Sequence, residues 1–204
     1  MPKDLIVLVA DKNAKFTLDG LLGRYQALNI HAIQYKIFIH PKRDPGVYNE
    51  SVEFLREFIS DYHHALVFLD REGSGHESDT ADEISLKIRT DLERNGWRNR
   101  VEVIVFDPEL EIWAWVDSPH LAEHVEWPDV SSIRSFLIQK GFWKEGKFKP
   151  DRPKEAFESL LKEKGIPRSS SIYKEIAQSV RFRHCTDPAF QQLQQTLRNW
   201  YGSS

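Results

Sequence analysis

The chain has 204 residues, 40% of them hydrophobic and 12% aromatic, with one cysteine and a formal net charge of −3 at pH 7. That length supports one domain or little more, with enough apolar mass for a packed core. A lone cysteine excludes a disulfide scaffold, and no apolar run approaches the ~18 residues of a membrane span, so a cytoplasmic protein with no membrane association is expected.

The charge is unevenly spread. Residues 1–130 carry 14 Lys+Arg against 24 Asp+Glu, a net of −10, whereas residues 131–204 carry 14 against 7, a net of +7. An acidic half can concentrate cations and a basic half can meet phosphates. The two halves can equally just attract each other.

Leu5 to Ala10 is a continuous apolar run with β-branched residues that ends in Asp11, the pattern of a strand buried on both faces. Phe16, Leu18, Leu21, Leu22, Tyr25 and Leu28 recur at helical spacing and predict a helix over 15–28, stopped by Asn29. Within 31–40, Ile33, Tyr35, Ile37 and Ile39 alternate strictly, which marks a half-buried strand near the side of a sheet. A turn over 41–46 follows, then a helix through Val52, Leu55, Phe58 and Ile59 to about Tyr62.

The most informative stretch comes next: Ala65 to Leu69, a short apolar run, passes straight into Asp70-Arg71-Glu72-Gly73-Ser74-Gly75. A third helix begins near 78–83 and ends at Asn95-Gly96, and Val101 to Phe106 is a fourth strand, ending in Asp107. The βαβαβαβ order predicts an α/β fold with a mostly parallel four-strand sheet flanked by helices. Asp11, Asp70 and Asp107 then lie at its carboxyl end, where ligands bind in open α/β sheets.

Asp70 and Glu72 are two residues apart, so in an extended segment their oxygens point the same way and can converge on a hard cation such as Mg²⁺. Capping of the next helix by Asp70, with Glu72 solvated, would account for them as well. In Asp107-Pro108-Glu109-Leu110-Glu111-Ile112-Trp113, Pro108 suits a first helical turn. Glu109 and Glu111 would then sit on different faces. Glu111, closer to the inward-packing Trp113, is taken as the site acid and Glu109 as lying outside; both would also be favoured by the positive helix end, worth ~0.3–1 kcal/mol. Trp113 and Trp115 are expected in the core.

From about 119 the pattern is helical, with stripes starting after Ser131-Ser132, Asp151, Ser169-Ser170-Ser171 and Asp187-Pro188. The chain therefore divides into an α/β domain, 1–118, and a helical C-terminal region, 119–204, packed on it, with 141–150 expected as a flexible joint. Lys154, Lys174, Arg181 and Arg183 are candidate nucleic-acid contacts, interleaved with Phe, Tyr and Ser. Cys185 reads as core filler. No Walker A loop, zinc-finger spacing or Gly-x-Ser-x-Gly elbow occurs.

These residues together resemble the TOPRIM fold of topoisomerases, primases and overcoming-lysogenization nucleases, which places a Glu after its first strand and an Asp-x-Asp after a later one around Mg²⁺. Asp11 stands at the first position, Asp70 and Glu72 at the pair, and Glu111 at a downstream acid. A closer resemblance is to TOPRIM-like proteins of bacterial anti-phage defence islands, carried by Glu111-Ile112-Trp113, Pro153-Lys154-Glu155 and Cys185-x-x-Pro188-x-Phe190. Within that group the chain is most similar to the fourth-component family of methylation-associated defence systems. Asp11-Lys12-Asn13 replaces the usual Glu-Gly, and Glu72 replaces an Asp.

The resemblance implies Mg²⁺-dependent, or Mn²⁺-dependent, phosphodiester cleavage of invading nucleic acid, with DNA the expected class, by Asp11, Asp70, Glu72, Glu111 and Lys154, with other defence-system proteins as partners and room for an oligomer. The alternative is a non-catalytic subunit that uses the same fold to dock onto proteins or DNA.

Overall fold

The computed structural model describes residues 2–115, 119–179 and 185–202. Four strands, β1 (Lys3–Val9), β2 (Tyr35–Ile39), β3 (Tyr62–Asp70) and β4 (Val101–Phe106), form one all-parallel sheet in the order β2-β1-β3-β4. The continuous apolar runs occupy the two central strands and β4, and the alternating run is β2 on the side, as burial on two faces or one requires. Leu5, Val7, Val9, Leu66, Phe68, Ile104 and Phe106 face one core; Ile6, Leu8, Ala65, Val67, Leu69, Val103 and Val105 face the other.

Helices α3 (Arg43–Arg56) and α4 (Ala81–Leu92) cover the second face. α1 (Lys12–Leu22), with a single further turn α2 (Tyr25–Leu28), covers the first. There it is joined by α5 (Pro119–His124), α6 (Val130–Gln139), α7 (Pro153–Lys164), α8 (Ser170–Ser179) and α9 (Pro188–Tyr201). One apolar cluster thus runs from the sheet into the C-terminal helices. α8 lies closely on α1, where a Cβ on Gly20 would stand 2.8 Å from the Lys174 carbonyl oxygen.

Several boundaries differ from the sequence expectation for identifiable reasons. α1 starts at Lys12 rather than 15, because Asp11 caps it by accepting the Ala14 N–H (2.8 Å). α3 begins inside the expected 41–46 turn: Pro45 falls in the first turn, where its missing N–H has no helical partner to lose. The expected helix to Tyr62 stops short, since Tyr62 already pairs with Lys3 in the sheet. α4 has the expected capping box, between Thr80 and Glu83. After β4 there is no regular helix: Glu109 is extended, and only a short 3₁₀ turn, Leu110–Trp113, follows.

The 141–150 joint is braced, with the Trp143 Nε1–H donated to the Lys147 carbonyl (2.9 Å). Among the described residues, no helix is long and apolar enough to cross a membrane.

Candidate functional site

In the order β2-β1-β3-β4 the connections run one way from β1 to β2 and the other way to β3 and β4. The reversal opens a crevice between the carboxyl ends of β1 and β3, where open α/β sheets bind ligands. Asp11 follows β1 and Asp70 ends β3, so the two acids singled out from the sequence flank this crevice.

A third acid joins them. Asp44, in the first turn of α3 beyond the neighbouring β2, accepts the Asp70 backbone N–H on Oδ1 (2.8 Å), and Asp70 Oδ1 accepts the Leu110 N–H (2.9 Å). Burial, then repulsion from Asp44, Glu111 and Asp11, pushes the Asp70 carboxyl well above the usual carboxylate range. Burial also raises Asp44, helped by Asp11 and opposed by its bond to the Asp70 N–H and by Lys154.

Beside this trio lie Glu109 and Glu111, 5% and 3% exposed. The expectation that only Glu111 faces inward is corrected here: with Glu109 extended rather than helical, both side chains turn in. Glu109 accepts the Lys154 backbone N–H (3.1 Å), and its Oε2 stands 3.6 Å from Lys154 Nζ. Burial and the nearby Glu111 raise its carboxyl to about 7, against the opposing pull of Lys154. Glu111 accepts the Tyr173 hydroxyl (2.6 Å) and lies 3.6 Å from Arg168. Its carboxyl is raised by burial and held back by Tyr173, Lys154 and Arg168. Burial alone would lower Lys154, but Glu111, Glu109 and Asp70 outweigh it, so its ammonium is held more tightly charged.

Two indoles lock this segment in place: Trp113 Nε1–H donates to Asp187 (2.9 Å) and Trp115 Nε1–H to the Pro153 carbonyl (3.1 Å). Both rings are buried, as expected.

The remaining candidates lie apart. Glu72 is exposed, with its backbone N–H donated to the Pro108 carbonyl (2.9 Å), and it reaches the cluster only through its field at Glu109. Asp107 is paired with Arg71 Nε (2.7 Å) at the surface. Lys174 pairs with Asp19 (2.5 Å), toward the end of α1 away from the crevice, so it does not line the approach as expected. Arg181 and Arg183 lie outside the described residues. Cys185 is half-buried, and burial pushes its thiol up, which suits packing rather than nucleophilic chemistry.

Asp44, Arg168 and Tyr173 were not singled out as site residues by sequence reasoning, and Glu109 was weighed and placed outside. Asp44 had a signal, an acid shortly after a strand, hidden by its Pro-Gly neighbours. Tyr173 had none, since it meets Glu111 across 62 residues of sequence.

The donors Asp11, Asp44 and Asp70 are hard carboxylate oxygens, the chemistry that Mg²⁺ and Mn²⁺ take. Each gives one oxygen to a backbone N–H and carries a second that these bonds do not use. Among the described residues no three Asp, Glu, His or Cys side chains are placed to hold one ion together, so ion uptake requires these carboxylates to turn toward a common point. No protein-family model, curated protein or solved structure matches the chain.

Proposed function

We propose that the chain is a divalent-metal-dependent phosphodiesterase that cleaves invading DNA as part of a bacterial anti-phage defence system. The observation that carries this is the trio Asp11, Asp44 and Asp70 at the point where strand order reverses, with Asp70 desolvated among like charges that a cation would relieve. Asp11, Asp44 and Asp70 would hold Mg²⁺ or Mn²⁺. When bound, such an ion lowers the pKa of a coordinated water and stabilises charge on a phosphodiester.

The chain's own groups supply the rest. Lys154 Nζ, 3.6 Å from Glu109 and in the field of Asp70, is the cation beside the trio and would bind a non-bridging phosphate oxygen. Glu109, held near neutrality, is the group suited to accept or return a proton at Oε2. The buried Trp113 and Trp115 keep this segment fixed, which matters because reacting groups must be positioned closely. The TOPRIM resemblance, DNA as the substrate and the defence partners rest on the motifs alone.

A docking role without catalysis has one specific observation in its favour: Glu109 and Glu111 are already matched by Lys154, Arg168 and Tyr173, all from the C-terminal region. Those two acids would then fasten helices to the sheet.

Metal titration by calorimetry, followed by cleavage assays, separates the two with wild type and Asp70→Asn. Asn keeps the oxygen that accepts the Leu110 N–H, so folding is retained while a charged ligand is lost. The expected result is ion binding and cleavage by wild type only. Equal cleavage, or equal protection from phage, by both proteins would refute the catalytic role.

A further inference from the structure

Phe148 is 94% exposed, whereas the other exposed large hydrophobics, Leu86 and Tyr25, keep more than a third of their surface covered, at 55% and 37% exposed. Single exposed apolar residues are ordinary, so exposure alone decides nothing. Three further observations set this one apart.

The loop that presents it is braced. The Lys147 carbonyl accepts both Trp143 Nε1–H and an Arg134 guanidinium N–H (2.7 Å), and Lys149 pairs with the buried Asp187 (3.1 Å). A ring on such a loop is held out at little further entropy loss. The loop also borders a depression of about 440 Å³ shared with Pro108, Pro150 and Asp187, a size within the ~300–1,000 Å³ of small-ligand sites. Pro108 directly precedes Glu109 in the chain, and Asp187 on the same depression accepts the Nε1–H of Trp113, two residues beyond Glu111, so the depression and the acidic crevice share one short segment.

The charge around the ring is the third observation. Residues 140–154 carry six Lys+Arg and two Asp+Glu, with Lys147 and Lys149 on either side of Phe148 and the run ending at Lys154 beside Glu109. Lysine is depleted in protein–protein interfaces and enriched where phosphates bind, which favours nucleic acid over a protein partner. An aromatic ring stacks on a base face only where that face is open, and in a duplex it is covered by the next base pair.

We propose that Phe148 is a stacking platform for an unpaired base of single-stranded DNA, with Lys147 and Lys144 on the flanking phosphates and the strand led past Pro108 to the acidic crevice. Lys144 and Lys147 now pair with Asp151 at 2.8 and 3.6 Å, and such exposed pairs yield readily to a phosphate. This deepens the phosphodiesterase reading by naming its substrate as single-stranded.

The test is fluorescence anisotropy on the full chain with a labelled oligodeoxythymidine, in EDTA so that cleavage plays no part. Phe148→Ala is expected to weaken binding about 5- to 150-fold, as loss of one base stack does. Phe148→Trp should retain affinity and show quenched emission on binding. Lys147→Ala should reduce the slope of log affinity against log salt by about 0.7.

The proposal is overturned if Phe148→Ala binds as wild type does, if wild type does not bind the strand, if a duplex loses equal affinity, or if oligouridine is bound more tightly than oligodeoxythymidine. Phe148-dependent binding without metal-dependent cleavage would reject the phosphodiesterase reading alone. Cleavage that is unaffected by Phe148→Ala would reject the platform alone.

Discussion

Glu109→Gln should make the protein more stable, by most at neutral pH and above. The Glu109 carboxyl is raised from 4.5 to about 7 because burial and Glu111 disfavour its charge. A folded-state value above the unfolded one means that its contribution is fully present below about 4.5 and is lost as pH rises to about 7. Above that, the wild type holds a buried charge at a cost of about 3 kcal/mol, taking ~1.36 kcal/mol per pKa unit.

Gln carries no such charge, and its side-chain oxygen can still accept the Lys154 N–H. The attraction of Lys154, 3.6 Å away, already opposes the rise to about 7, so its loss is contained in that figure. The net gain is about 3 kcal/mol near pH ~8, or roughly 6–12 °C in Tm, and under about 1 kcal/mol near pH ~5. Thermal and urea unfolding at both pH values, in EDTA, measure it. An equal gap at the two pH values, or a variant less stable than wild type at the higher one, would refute the assignment of Glu109 as a buried, disfavoured charge.

Two further outcomes are expected. Tyr173→Phe removes the 2.6 Å bond to Glu111 and leaves a buried carboxylate short of a donor, which should cost ~1.5–3 kcal/mol, read as a lower urea midpoint at unchanged m. Gly20→Ala sets a methyl 2.8 Å from the Lys174 carbonyl and 3.0 Å from Ala177 Cβ. The overpacking, ~1–3 kcal/mol, should outweigh the ~1 kcal/mol helix-propensity gain, so a raised Tm would refute the close α1–α8 crossing.

The strands were legible because burial on two faces leaves an unbroken apolar run, as in Leu5–Val9 and Ala65–Leu69, whereas burial on one face leaves alternation, as in Tyr35–Ile39. Asp11 and Asp70 were legible for the same reason, since each stands where such a run stops. Asp44 was not: Asp44-Pro45-Gly46 looks like a turn, and nothing local shows that a helix absorbs the proline in its first turn. Glu109 was misplaced because Pro108 opens helices so often that the extended backbone following it has no sequence mark. Arg168 and Tyr173 reach the site by the packing of α7 and α8, which local patterns do not encode.

The division of charge between the two halves of the chain is partly consumed inside the fold. Lys154–Glu109, Arg168–Glu111 and Lys174–Asp19 each join the basic half to the acidic one, so mutual attraction accounts for these residues. It does not account for Asp11, Asp44 and Asp70, whose hydrogen bonds come from backbone N–H groups rather than cations. Nor does it account for the lysines of 144–149, whose partners Asp151 and Asp187 belong to their own half. Once these pairs are set aside, what remains is a group of crowded carboxyls in the crevice, among which burial and mutual repulsion disfavour the charges of Asp70 and Asp44, and a loop whose three lysines share two aspartates. A cation in the crevice would relieve that repulsion, and a phosphate on the loop would take the place of Asp151 at Lys144 and Lys147, which is what the proposed substrate path requires of the two sites.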